Sequence, residues 1–168
     1  MATEQSIYHD CARAVAKAIG QLGLRLDGGE RPAVLLRKLP AEIDVEGGVP
    51  CVIVSYADRA ESVEPFTFNG GVQAVYPVTV TLIMPALLST SENLRTIPAW
   101  REQIRRLFQI LGAPLPGNQG KVALPKTVWD TNVEMGPPYN AEEWAKNDRD
   151  VTLLTVKLTS AENATNAA

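Results

Sequence analysis

The chain has 168 residues, 45% hydrophobic and 21% charged, with a formal net charge of −3, which suits one globular domain able to bury a core without disulfide or metal staples. That balance excludes a global basic field drawing the whole protein to nucleic acid or to an anionic membrane. No apolar run approaches the roughly 18 residues a bilayer span needs, and Met1 to Gln5 lacks the pattern of a secretory signal, so residence in the cytoplasm is the expectation.

From about Glu4 to Leu22, apolar residues from Ile7 through Cys11, Val15 and Ile19 recur at three- and four-residue spacing, which predicts an amphipathic helix ended by Gly20 and Gly23. Arg25 to Pro32 reads as a turn, Ala33 to Arg37 as a short strand, and Ala41 to Gly48 as an acidic loop. Pro50 to Tyr56 is nearly all apolar, the mark of a strand buried on both faces. A polar connection from Ala57 to Val63 leads to Phe66-Thr67-Phe68 and Asn69-Gly70-Gly71, which predicts a hairpin into the long strand Gln73 to Pro85. Along that strand Ala74, Tyr76, Val78, Val80, Leu82 and Met84 alternate with Gln73, Thr79 and Thr81, so one face is apolar. Pro77 lacks a ladder donor and predicts an edge position or a bulge.

A second helix begins either at the capping-box spacing of Ser89 and Glu92 or at Thr96, with Pro98 then in its first turn. Ile97, Trp100, Ile104, Leu107, Phe108 and Leu111 form its core stripe, while Ile110 projects toward the polar side. Gly112 to Gly120 should be a stiff exposed connection. Val122 to Leu124 and Thr127 to Val133 read as short strands, and Asn140 caps a single helical turn within the irregular stretch Met135 to Asp148. The last strand places Thr152, Leu154, Val156 and Leu158 on one face, and residues 161–168 read as a mobile tail after a single domain over residues 1–160.

No pattern in the chain carries catalytic, cofactor or metal chemistry. Gly117 to Lys121 lacks the glycine and hydroxyl positions of a phosphate loop, and His9, the only histidine, falls on the polar helix face with no nucleophile at a recognised spacing. The acidic pairs Glu142-Glu143 and Asp148-Arg149-Asp150 lack the ligand order of a calcium loop. Cys11 and Cys51 leave a disulfide open, with buried thiols the commoner state. Arg95, Arg101, Arg105 and Arg106 make one helix a candidate phosphate-contacting or subunit-pairing face, although Glu102 sits among them. Ile110 and the loop aromatics Tyr139 and Trp144 are the residue types that anchor interfaces.

The layout of an N-terminal helix, LPAEIDVEGGVPCVIVSY, YPVTVTLIMP, WREQIRRLF on a helix, VWDTNVEMGPPYN and a final VTLLTVKLTSAE strand resembles the tail terminator or tail completion proteins of the bacteriophage neck. The resemblance implies an α+β fold, a mixed and mostly antiparallel β-sheet flanked by two main helices on one side. It also implies a structural virion protein, not an enzyme, that forms a homo-oligomer ring, commonly a hexamer. Such a ring caps the tail tube, joins it to the head connector or stopper protein, and lets DNA pass without specific binding. Localisation would be the virion neck, after assembly in the host cytoplasm. On that reading Phe66, Phe68, Asn69, Ile110, Tyr139 and Trp144 meet a neighbouring subunit or the tube. A head-tail stopper or adaptor, and a nucleic-acid-binding module using the arginine-bearing helix, are the competing expectations.

Overall fold

A computed structural model describes residues 6–26, 29, 31–38, 50–65, 71–85, 90–138 and 149–163. The first helix, α1 (Ile7–Leu22), starts where the Ser6 hydroxyl accepts from the His9 amide at 3.2 Å. It ends where Gly23 takes the left-handed conformation (φ +67°) that a residue with a Cβ enters at a cost, while Gly20 stays within the helix.

Strands β1 (Ala33–Leu36), β2 (Cys51–Tyr56), β3 (Ser62–Pro65), β4 (Gly71–Pro85), β5 (Val128–Met135) and β6 (Arg149–Asn163) form one sheet in the order β1-β2-β4-β6-β5, with β3 also on β4. Only β1 and β2 run parallel; the other pairs are antiparallel. With the two helices this is an α+β fold.

The two faces of the sheet follow the alternation along its strands. Val52, Val54, Val78, Val80, Leu82, Met84, Leu154, Val156 and Leu158 all turn to one face, where they pack with Cys11, Val15 and Ile19 of α1 and Trp100, Ile104 and Phe108 of the second helix, α2 (Thr90–Gln109). Each such fully buried aliphatic side chain contributes about 1.5–3 kcal/mol relative to exposure, so this layer dominates the core. On the opposite face Cys51, Ile53 and Ile83 make a smaller cluster beside the buried hydroxyls of Ser55, Thr79, Thr81 and Thr155. Strand β2 is buried on both faces, as its unbroken apolar run requires. Cys11 and Cys51 are free, buried thiols, and burial pushes the Cys11 pKa up to about 12.

Pro77 corrects the expectation of an edge or a bulge, because β4 is central and Pro77 stays in register opposite Lys157. Its carbonyl accepts from the Ala57 amide at 3.2 Å and from the Tyr8 hydroxyl, so its missing N–H faces the same side, at the gap where β2 leaves β4 before β3 joins. The break between two partner strands accommodates the proline.

Other boundaries shift for equally local reasons. The hairpin arm is Ser62–Pro65, which begins within the end of the stretch expected to be a polar connection, and Phe66 to Gly70 lie outside the described residues. Helix α2 takes the early start, so Pro98 sits inside it, where Leu94 and Pro98 are both exposed and water can reach the carbonyl that the proline leaves without a donor. Leu111 leaves the core stripe, 45% exposed just past the helix end. Val122 to Leu124 form no strand; a single bridge, Pro114 to Lys121, closes the turn, with Leu115 N donating to Gly120 O at 2.8 Å. That turn is not a merely exposed connection, since Ala113, Leu115 and Val122 enter the core. Finally, β6 pairs with β4 as far as Asn163, so residues 161–163 of the expected tail belong to the sheet.

Candidate functional site

Helix α2 lies over β5 and β6 and therefore has one face inward, which divides the four candidate arginines. Arg101 turns in and is 7% exposed. Its guanidinium donates to Gly136 O at 2.5 Å and to Thr152 Oγ1, with Pro137 O and Leu153 O each at 3.3 Å. Thr152 Oγ1 in turn donates to Pro137 O at 2.8 Å. Burial lowers the Arg101 pKa, and the ring of acceptors holds the charge in place. Arg101 is thus a tie between α2 and the strands beneath it, which corrects its assignment to a DNA-channel or pairing face. Arg95, Arg105 and Arg106 remain outside that tie. Arg105 donates to Gln109 Oε1 at 2.7 Å and Arg106 pairs with Glu102 at 3.4 Å, so both cations are engaged along the helix itself.

At the C-terminal end of α2, Thr131 Oγ1 donates to Phe108 O at 2.7 Å and supplies one of the carbonyl partners a helix end lacks. Beyond it, Leu22, Arg106, Leu107, Ile110, Pro114 and Leu115 are among the residues lining an open groove of about 610 Å³. Ile110 stands at its border, 69% exposed, as its position off the core stripe predicts.

A second constellation joins residues far apart in sequence. Tyr8 of α1 stacks on Tyr76 of β4 with ring centroids 5.2 Å apart and tilts against Tyr56 of β2 at 4.6 Å. The Tyr76 hydroxyl donates to Glu162 Oε1 at 2.5 Å, and His9 Nδ1 lies 3.1 Å from the Tyr56 oxygen. Desolvation raises the pKa of both Tyr8 and Tyr76, and the Glu162 contact adds to the effect at Tyr76. The contacts among the three rings lock α1 to two strands. Spacing along the chain offers no signal for this cluster, because only strand pairing and the packing of α1 on the sheet bring positions 8, 56 and 76 together.

Trp129 is an exposed aromatic that sequence reasoning did not single out. The register of β5 against β6 jumps between Val128 and Asp130, so Trp129 is the extra residue of a bulge and is 51% exposed. Phe66, Phe68, Asn69, Tyr139 and Trp144 lie outside the described residues, as do the Asn140 cap and Glu142, Glu143 and Asp148. Arg149 and Asp150 open β6 opposite Pro85 and Met84. Among the described residues no group of three or more His, Cys, Asp or Glu could hold a metal ion, and no helix is long and apolar enough to cross a membrane. Compared with known proteins, the chain matches no protein-family model and no curated protein significantly.

Proposed function

We propose that this chain is a non-enzymatic structural subunit of a phage neck, a tail terminator that assembles with copies of itself into a ring between the tail tube and the head connector. The observation that carries this reading is the scatter of its exposed apolar side chains: Val63 on β3 is 60% exposed, Leu94 on α2 74%, Ile110 past its other end 69%, and Trp129 on β5 51%. Leu94 and Ile110 are sixteen positions apart on and just beyond one helix, about 24 Å at 1.5 Å per residue. Exposed apolar side chains this far apart can serve separate contacts, and two different surfaces meeting head to tail generate a ring when the rotation closes.

The loss of Arg101 from the exposed face and the side-chain partners of Arg105 and Arg106 weaken the competing DNA-binding reading. In the neck, DNA would pass through the ring without a specific site. Native mass spectrometry over a concentration series, with negative-stain images of the same samples, tests the proposal. A closed ring that binds tail tube protein is the expected result; a ring that binds only the head connector would mark a stopper or adaptor instead. A chain monomeric at every concentration, alone and with tube protein, would refute it.

A further inference from the structure

We propose that the two open edges of the sheet pair with each other between successive protomers, β5 of one copy against β1 of the next, so that the sheet continues around the assembly. The proposal rests on the ring reading and names its seam. Among the described residues β1 pairs only with β2, and β5 only with β6. Edges of this kind carry a row of backbone groups ready for another chain.

The hydrogen bonds show which groups point outward. Gly136 N donates to Leu153 O, so by alternation Thr131, Val133 and Met135 direct their backbone groups away from β6. On β1, Arg37 N donates to Val54 O, which leaves Val34 and Leu36 facing out. One outward group on each edge is held by an adjacent side chain: Asn132 Oδ1 accepts from Val133 N at 2.9 Å, and the Arg37 guanidinium donates to Leu36 O at 3.0 Å. Such contacts blunt a lone edge against random pairing, and an arriving strand can displace them.

Strand direction and charge then select the partner edge. β1 runs with β2, and β2, β4, β6 and β5 alternate, so β1 and β5 run in opposite directions. Rotation about an axis along the strands preserves direction, which makes the seam antiparallel. The C-terminal end of β1, with Arg37 and Lys38, then meets the start of β5, with Asp130. Arg37 shares its face with Ala33, which packs in the smaller cluster beside Val151, and Asp130 sits opposite Thr159 on that same face. Glu134, four residues further along β5, is already bound to Arg59 at 2.9 Å and to Lys157, whereas Asp130 is exposed and forms no ion pair among the described residues. The free carboxylate and the cations therefore lie at matching ends of the two edges.

Native mass spectrometry of wild type, Asp130→Arg, Arg37→Glu and the double variant tests the seam, with circular dichroism confirming that each is folded. Asp130→Arg should raise the concentration of half-assembly at least tenfold, and adding Arg37→Glu should restore it toward wild type. Val133→Pro, which removes an outward N–H from the edge, should leave a folded monomer. Wild-type rings that survive all of these substitutions unchanged overturn the seam alone. A wild type that never assembles overturns the ring reading, and the seam with it.

Discussion

Replacing Arg101 by alanine distinguishes a buried tie from a DNA-contacting cation. The guanidinium makes charge-assisted hydrogen bonds to Gly136 O and Thr152 Oγ1 in a site only 7% exposed, and each such bond contributes about 1.5–3 kcal/mol. Alanine leaves those acceptors without their donor and opens a void, so a loss of about 3–5 kcal/mol is expected. With a urea slope of about 2 kcal/mol/M, the midpoint should fall by about 1.5–2.5 M in unfolding followed by tryptophan fluorescence. Arg101→Lys keeps the charge but not the planar fork, and should fall between alanine and wild type. Arg106→Ala, at an exposed helix pair, should cost under about 0.5 kcal/mol. An Arg101→Ala variant within about 0.5 kcal/mol of wild type, with weakened DNA binding, would refute the inward assignment.

Three further outcomes follow from the same structure. A Cβ at Gly136 would sit 2.5 Å from Leu153 O and 2.8 Å from its Cδ1, so Gly136→Ala should destabilise by about 1–3 kcal/mol in the same urea assay. Tyr76→Phe removes the bond to Glu162 near the end of β6; the global loss should be about 1 kcal/mol, with faster amide exchange concentrated at residues 159–163. Cys11, Tyr8 and Tyr76 all have raised pKa values, so above about pH 9 the unfolded chain releases protons that the folded chain retains. Stability should therefore be flat below that point and decline as pH rises, and Cys11→Ala should soften the decline; thermal melts from pH 7 to 10.5 that stay level would contradict the burial of these groups.

The α+β class, both helices and the principal strands were legible because they depend on local periodicity. Ala74 through Met84 alternate so regularly that strand and apolar face could be read together, and the spacing of Ile7 to Leu22 leaves no choice but a helix with its apolar stripe inward. The exposure of Ile110 was legible for the same reason, since a helix's angular geometry carries it off the stripe. Positions that depend on neighbours distant in sequence were not legible. Arg101 lies at the border of the stripe, and only the strands packed beneath α2 decide whether such a side chain reaches water or a ring of carbonyls. Pro77 is tolerated because two other strands happen to part beside it, and Trp129 is exposed because a bulge shifts it out of alternation.

The sequence by itself therefore determined which segments are helix or strand and which of their faces are apolar, because those properties repeat over a few residues. Tertiary structure alone decided strand order, the tyrosine cluster, the inward turn of Arg101 and the two open edges. Each of these is a relation between residues tens of positions apart, and pattern along the chain holds no record of which distant segment supplies the missing partner.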